Sequence, residues 1–300
     1  MEFLRLGLVG YGHRGRGMLS LATKQFSGVQ AAGICDLNTE LLKQAESDFP
    51  GVPKFADFAA MLKAGGLDAL LVETPATCHA DFCVRGLERN IHVMSDIPCV
   101  DNAEEADRLW AAQQRTKALF MTGANPNMWG WVQAAVDLKR NGQLGEPYYV
   151  EVEYVHDVRH LFKETPWRET YPSIKYCTHS LGPALRLLDE DLAEAVCFDT
   201  GSHVNRKAGQ HDAMSALFRT RSNVVVRLLT SFINNYPGGY HAMRVYATRG
   251  YFERTSPAAG ARTLFRSADS PVENRLTELP VGDARTDMSE AAKASGHGGA

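Results

Sequence analysis

Between residues 3 and 122, short apolar runs alternate with stretches whose apolar residues recur at helical spacing. The runs fall at 4–9, 29–35, 68–72, 91–94 and 118–122. The helical patterns fall at 16–26, 39–48, 58–63, 77–90 and 102–117. Strands separated by helices of this length pair in parallel, because a parallel pairing needs a long crossover. This half predicts a doubly wound parallel sheet of Rossmann type.

After residue 122 the rhythm changes. A helix is predicted at 128–140, then the Asn141-Gly142 turn, a period-2 strand at 148–155 and, past a loop, a helix at 178–188. Strand candidates follow at 195–198, 213–219, 224–232, 243–247 and 251–254, joined by turns such as Arg221-Ser222-Asn223 and Pro237-Gly238-Gly239. Strands in close succession without intervening helices predict an open, mainly antiparallel sheet and an α+β half. From about Ser267 the chain reads as polar and patternless. The expected organisation is a dinucleotide-binding domain at 1–122, an α+β substrate and oligomerisation domain at 123–286, and a mobile tail at 287–300.

Composition narrows the function classes. The chain has 300 residues, 44% hydrophobic and 22% charged, with 32 Lys and Arg against 35 Asp and Glu. A net charge of −3 lacks the basic footprint of a nucleic-acid binder. No apolar run is long enough for a membrane span and no leader precedes the first strand pattern, so a cytoplasmic location is expected. Six cysteines without a C-x-x-C pair argue against a zinc ribbon or a disulfide scaffold and read mostly as reduced core thiols.

Gly10-Tyr11-Gly12-His13-Arg14-Gly15 fits G-x-G-x-x-G directly after the first strand pattern. In such a turn Gly10 allows the bend, Gly12 the approach of a diphosphate and Gly15 close helix packing, with the phosphates on the helix N-terminus. His13 and Arg14 lie inside it. Asp36, 21 residues after Gly15, suits a ribose 2′-hydroxyl and would repel a 2′-phosphate, so NAD is the expected cofactor. Two more segments end predicted strands, where ligands bind in such sheets: Glu73-Thr74-Pro75 followed by His79, and Ser95-Asp96-Ile97-Pro98. Pro75 should stop its strand and expose the Thr74 backbone and hydroxyl. His79 could meet the cofactor or simply cap the surface.

In the second half, residues 154–179 concentrate titratable and hydrogen-bonding groups: Tyr154, His156, Asp157, His160, Trp167, Arg168, Tyr171, Tyr176 and His179. His179 opens a helix, where the macrodipole disfavours imidazolium and suits a neutral base. Tyr176, three residues earlier, could relay the proton, or the two could merely cap and pack. Period 2 puts Tyr154 and His156 on one strand face, toward a pocket or toward solvent. Trp167 offers a plane for a sugar ring, and Arg168 offers donors to hydroxyls or a cofactor phosphate. Tyr236 and Tyr240 flank a turn and could close over a ligand. His156, Asp157 and His160 make only a partial ligand set, so no metal is expected. No pair of carboxylates stands out in this half.

The glycine turn, Asp36, Thr74-Pro75 with His79, and Asp96-Ile97-Pro98 in place of Glu-Lys-Pro together resemble the Gfo/Idh/MocA oxidoreductase family. That resemblance implies a Rossmann domain followed by an open-sheet domain, a sugar or polyol substrate, and commonly a homo-oligomer. Ile97 stands where the family's proton-transferring Lys would be. The departure is similar to glycoside hydrolase family 109, in which bound NAD serves a redox-neutral glycosidase. The matching pieces are Gly12-His13-Arg14-Gly15-Arg16-Gly17, Tyr154-Val155-His156-Asp157, Trp167-Arg168, the run from Tyr176 to Pro183, and Gly296-His297-Gly298-Gly299. Ala124 replaces the Glu usual in that branch, before Asn125. The branch implies oxidation at a pyranose hydroxyl, C3 in this reading, then elimination and re-reduction, with His179, Tyr176, Tyr154 and His156 catalytic and Asn125, Trp167 and Arg168 cofactor-facing. An ordinary sugar or polyol dehydrogenase and a non-catalytic dinucleotide-binding regulator are the alternatives.

Overall fold

The computed structural model describes residues 3–235, 239–256, 260–270 and 275–283. The expected tail at 287–300 lies outside them, as do Tyr236 and the side chain of Tyr240. By internal contacts the chain forms two units, Met1–Gly123 and Ala124–Ala300.

The first unit carries strands β1 (Leu4–Val9), β2 (Val29–Cys35), β3 (Lys54–Phe55), β4 (Ala69–Val72), β5 (His92–Ser95) and β6 (Phe120–Thr122). They pair in parallel in the order β3-β2-β1-β4-β5-β6. The helices are α1 (His13–Gln25), α2 (Thr39–Asp48), α3 (Phe58–Ala64), α4 (His79–Leu87) and α5 (Ala103–Gln114). Strand order reverses between β1 and β4, the switch point where such sheets open a ligand crevice. Two apolar clusters form the core: Leu8, Leu19 and Ile34 in one, and Leu70, Val72, Cys83, Leu87 and Val93 in the other. Helix starts have side-chain reasons: Asn38, Asp57 and Asn102 each accept a first-turn N–H. α1 begins three residues before the apolar pattern does, because its first turn is the polar end of the glycine motif. The helix predicted at 77–90 is a 3-10 turn at Ala76–Cys78 followed by α4.

The second unit has α6 (Gly130–Arg140), α7 (Thr178–Leu188), β7 (Pro147–His156), β8 (Leu192–Asp199), β9 (Met214–Thr220), β10 (Val225–Ser231), β11 (Gly239–Ala247), β12 (Gly250–Arg254), β13 (Thr263–Ser267) and β14 (Thr277–Leu279). Sheet order is β14-β13-β12-β11-β7-β10-β9-β8. Every pair is antiparallel except β7 with β10. β14 corrects the patternless reading after Ser267, and β13, just before it, was not predicted. In β13, Thr263, Leu264 and Phe265 are all buried, so no alternation marks it as a strand.

One face of this sheet is covered by α6 and α7, whose Trp131, Val132, Ala135, Ala184 and Leu187 pack with Val150, Val152, Leu228, Met243 and Val245. Alternate residues point to the other face. There Arg244 bridges Glu151 and Glu253 at 3.0 and 2.9 Å. All six cysteines are free; Cys35 and Cys83 are buried, but Cys78 and Cys197 are exposed and so are not core fillers. No described helix is long and apolar enough to cross a membrane.

Candidate active site

The glycine turn of the first unit is built by backbone constraint. Gly10 sits at φ +94°, a conformation that L side chains rarely adopt, and its N–H donates to the Cys35 carbonyl at 2.8 Å. A Cβ on Gly15 would lie 1.9 Å from the Gly10 carbonyl oxygen. Gly12, the N-cap of α1, has no side chain over the first-turn N–H groups, and a Cβ there would meet nothing within 4 Å. An uncapped helix start beside open space fits a dinucleotide diphosphate. Tyr11 anchors the turn: its ring is buried and its hydroxyl donates to Asp48 Oδ2 at 2.8 Å.

Asp36 lies beside this turn and also supports it. Its Oδ2 accepts the Tyr11 N–H at 2.7 Å and its Oδ1 accepts the Asn38 N–H at 2.8 Å. Each carboxylate oxygen keeps a further lone pair, the capacity a ribose hydroxyl requires. His13 is exposed at the start of α1. Arg14 Nε lies 3.7 Å from both Glu73 Oε2 and Asp96 Oδ2.

At the ends of β4 and β5 the structure corrects two expectations. His79 is 2% exposed, so it is no surface cap. Its Nδ1 lies 2.7 Å from the Pro98 carbonyl and its Nε2 2.6 Å from the Thr74 carbonyl, which makes the ring a clamp between two strand-end loops. The Thr74 carbonyl is thereby occupied and the Thr74 hydroxyl oxygen is buried, so neither is the exposed group predicted from Pro75. The Ile97-Pro98 peptide is cis, and Ile97 is buried.

In the second unit, Tyr154 is the centre of a ring cluster. His156 stacks on it with centroids 4.4 Å apart, and His241, Tyr176, His179 and Phe232 stand at 5.0, 5.3, 5.7 and 6.0 Å. Tyr154 and His156 continue the face of β7 that carries Val150 and Val152, so they point to the helix-covered side rather than to open solvent. Tyr176 ends a 3-10 turn and His179 is the second residue of α7, as their spacing suggested. Arg168, on the 3-10 turn Pro166–Glu169, lies over the Trp167 ring at 4.6 Å and the Tyr176 ring at 5.5 Å. Asn125 opens the 3-10 turn Asn125–Met128. Asp157 is engaged by Arg159, with Nε donating to Oδ1 at 2.8 Å, rather than left as a metal ligand. Among the described residues no group of three or more side chains is arranged for a metal ion.

His241 was missed from the sequence. It pairs with Tyr154 across β11 and β7, and its Nε2 lies 3.4 Å from His156 Nε2. Trp129 stands edge-on to it at 4.9 Å. The signal was present, since residues 241, 243 and 245 share one strand face and Met243 and Val245 are core. Burial and then the His179 and His156 imidazoles push the His241 ring well below the ordinary histidine value, against a smaller pull upward from the His179 backbone. Pro183, four residues after His179, has no N–H to donate to that carbonyl. His156 is pushed down to about 4 by burial and by the Arg168 charge. Both rings are neutral at pH 7. Gly182 brings α7 against the Asn127 turn, where a Cβ would meet Asn127 Oδ1 at 2.6 Å.

A six-stranded parallel sheet with this glycine turn, joined in sequence to an open eight-stranded sheet, defines an NAD-binding oxidoreductase fold. The sequence model described as an oxidoreductase family with an NAD-binding Rossmann fold matches residues 4–124, and the C-terminal domain model of the same family matches 132–253. The chain belongs to the Gfo/Idh/MocA family. It is similar to a glycosyl hydrolase family 109 protein of Bacteroides thetaiotaomicron, 27% identical over 204 residues, covering 63% of this chain and 44% of that one. The chain thus spans under half the length of such curated relatives. An oxidoreductase from Agrobacterium radiobacter, solved with NAD+, L-tartaric acid and magnesium, superposes with a TM-score of 0.80 at 18% identity, covering 96% of this chain and 82% of that one. The WlbA dehydrogenase of Bordetella pertussis, solved with NADH and UDP-GlcNAcA, gives 0.76 at 19% identity, covering 84% and 74%.

Proposed function

We propose that the chain acts on a sugar or glycoside by hydride transfer at a pyranose hydroxyl, C3 in this reading, with cleavage of the glycoside as a redox-neutral outcome. The observation that carries the reading is the Tyr154 cluster, two tyrosines and three imidazoles on one sheet face at the start of α7. NAD, when bound, supplies the hydride acceptor and, in the redox-neutral case, the donor that restores it. Gly10, Gly12, Gly15 and Asp36 are the residues assigned to hold it, with His13, Arg14, Thr74, Pro75, Asp96 and Pro98 around them. Asn125, Trp167 and Arg168 are assigned to it from the second unit.

His179 accepts the hydroxyl proton, and Tyr176, with ring centroids 5.3 Å away, relays it. A ketone at C3 acidifies the neighbouring C2–H. His156, neutral because it is pushed down to about 4, or Tyr154 as its phenolate takes that proton, the two rings stacking on one strand face and His156 reaching His241. Loss of the C1 substituent and addition of water then complete cleavage without the paired carboxylates of ordinary glycosidases.

The test follows the protein with NAD+ and a panel of aryl glycosides in deuterated water, recording aryl release and NADH absorbance together. Aryl release without NADH accumulation and with deuterium at C2 supports the reading. NADH accumulation without aryl release converts it to the second reading, a net sugar dehydrogenase, which the dehydrogenases among the structural neighbours favour. Silence in both channels removes both.

A homo-oligomer through the helix-free sheet face belongs to the same reading. Val196, Phe198 and Leu217 lie on that face 47%, 74% and 47% exposed, with Leu217 in register with Arg227 and, through it, Glu151. Phe198→Asp should lower the mass measured by light scattering; an unchanged mass counts against this face.

A further inference from the structure

Glu73 follows β4 and is a buried carboxyl that the proposed chemistry does not use. Its side chain is 1% exposed and its Oε2 has no hydrogen-bond partner. It lies directly under the glycine turn. A Cβ on Gly10 would sit 2.5 Å from the Glu73 carbonyl oxygen, and a Cβ on Gly15 would sit 3.1 Å from Glu73 Cβ. The two glycines that shape the turn are thus packed against this residue.

The charged and titratable groups near it come from four elements. α1 contributes Arg14, whose Nε is 3.7 Å from Glu73 Oε2. The end of β5 contributes Asp96, whose Oδ2 is 3.7 Å from the same Nε. α4 contributes His79, whose ring is turned to the Thr74 and Pro98 carbonyls. At the end of β2, Asp36 is bonded to the Tyr11 and Asn38 N–H groups. Two carboxyls therefore share one guanidinium, a geometry in which both cannot ionise cheaply. Glu73 is the less exposed, at 1% against 20% for Asp96, so the proton belongs on Glu73. Burial first, and Asp96 second, push its acid up to about 8, against the pull of Arg14.

The charge count then changes with one proton. With Glu73 neutral, Arg14 and Asp96 cancel. With Glu73 ionised, the same group carries a net negative charge under the helix start that suits a diphosphate. We propose that Glu73 is a positioning residue for the dinucleotide that works as a neutral acid: protonated, it leaves the Arg14 guanidinium to the diphosphate, and ionised, it draws Arg14 down and weakens cofactor binding. By linkage, cofactor binding favours the protonated form and takes up a proton where Glu73 is partly ionised. This concerns the NAD-binding unit alone and stands whether or not the sugar chemistry does.

The experiment is calorimetric titration of NAD+ into the full chain from pH 6 to 9, in buffer pairs of different ionisation heat. For the wild type the dissociation constant should hold steady to about pH 7 and rise about tenfold by pH 9, with net proton uptake near pH 8. Glu73→Gln keeps the neutral shape and should bind within about twofold across the range, without that proton uptake. Asp96→Asn relieves the repulsion and should move the transition to lower pH. A wild-type constant that is flat with pH, or a Glu73→Gln protein that keeps the wild-type profile, overturns the proposal. Should Glu73→Gln fail to fold, an unmoved transition in Asp96→Asn does the same.

Discussion

The glycine turn of the first unit and the ring cluster of the second make sites by different means. The turn is backbone: one positive φ, two positions where a Cβ has no room and one where it has open space, all within six consecutive residues. The cluster is side chain, drawn from β7, β11, the start of α7, a 3-10 turn and the segment before α6, from Trp129 to His241. A site of the first kind is broken by adding one carbon atom. A site of the second kind is broken by removing a ring or changing its charge.

Substitution of Gly15 and of Gly12 separates these modes most sharply. Gly15→Ala places a Cβ against the Gly10 carbonyl and should cost about 2–3 kcal/mol in denaturant unfolding, with loss of NAD+ binding. Gly12→Ala has open space and should leave stability within about 0.5 kcal/mol while weakening NAD+ binding, since the methyl group lies where a diphosphate would approach. Equal stability losses in the two variants would deny the distinction. In the cluster, His179→Ala should slow single-turnover hydride transfer about 10²–10⁴-fold with NAD+ affinity nearly kept. Unchanged single-turnover formation of NADH removes His179 from the reaction.

The two regions also respond to pH with opposite sign. His156 is held at about 4 in the fold against 6.5 outside it, so the unfolded chain binds the extra proton. Its stabilising contribution is present above about pH 6.5 and is lost as pH falls toward 4, on the order of 3 kcal/mol. Glu73 is raised instead: its folded form keeps the proton, so its contribution is greatest below about pH 4.5 and falls away as pH rises toward 8. His156→Asn should flatten the acid side of a melting-temperature profile, and Glu73→Gln should flatten the neutral-to-alkaline side. Interchanged effects would break the comparison.

Legibility follows the same division. The glycine motif, Asp36 and the helix-joined strands are local patterns, and the parallel sheet was readable from them. β3 was not, because two residues cannot show a period. Tyr176 and His179 were readable because three residues separate them on one turn. His241 is 85 residues from His156, and only pairing of β11 with β7 brings the rings together. His79 was visible but its work was not: the two carbonyls it holds belong to loops 5 and 19 residues away. Glu73 was read only as the residue before Thr74-Pro75, since nothing in the sequence says that its carboxyl is buried.

The smallest expected effect sharpens that last point, because β4 has a carboxyl at each end. Asp68, before the strand, accepts the Arg5 backbone N–H at 2.8 Å and its guanidinium at 3.0 and 2.7 Å, which holds its acid down at about 2. Glu73, after it, shares its cation with Asp96 and is pushed up to about 8. The Arg5 pair is well exposed, at 54% and 33%, so solvent screens most of it. Asp68→Asn should therefore cost only about 0.5–1 kcal/mol at neutral pH, a cost that shrinks in high salt and vanishes as pH falls toward 2. In Asp68→Ala, which lacks the acceptor that Asn keeps, a cost several times larger and insensitive to salt would mean that the Arg5 backbone bond, not the ion pair, ties β1 to the start of β4. The two ends of the strand would then differ in backbone geometry as well as in charge.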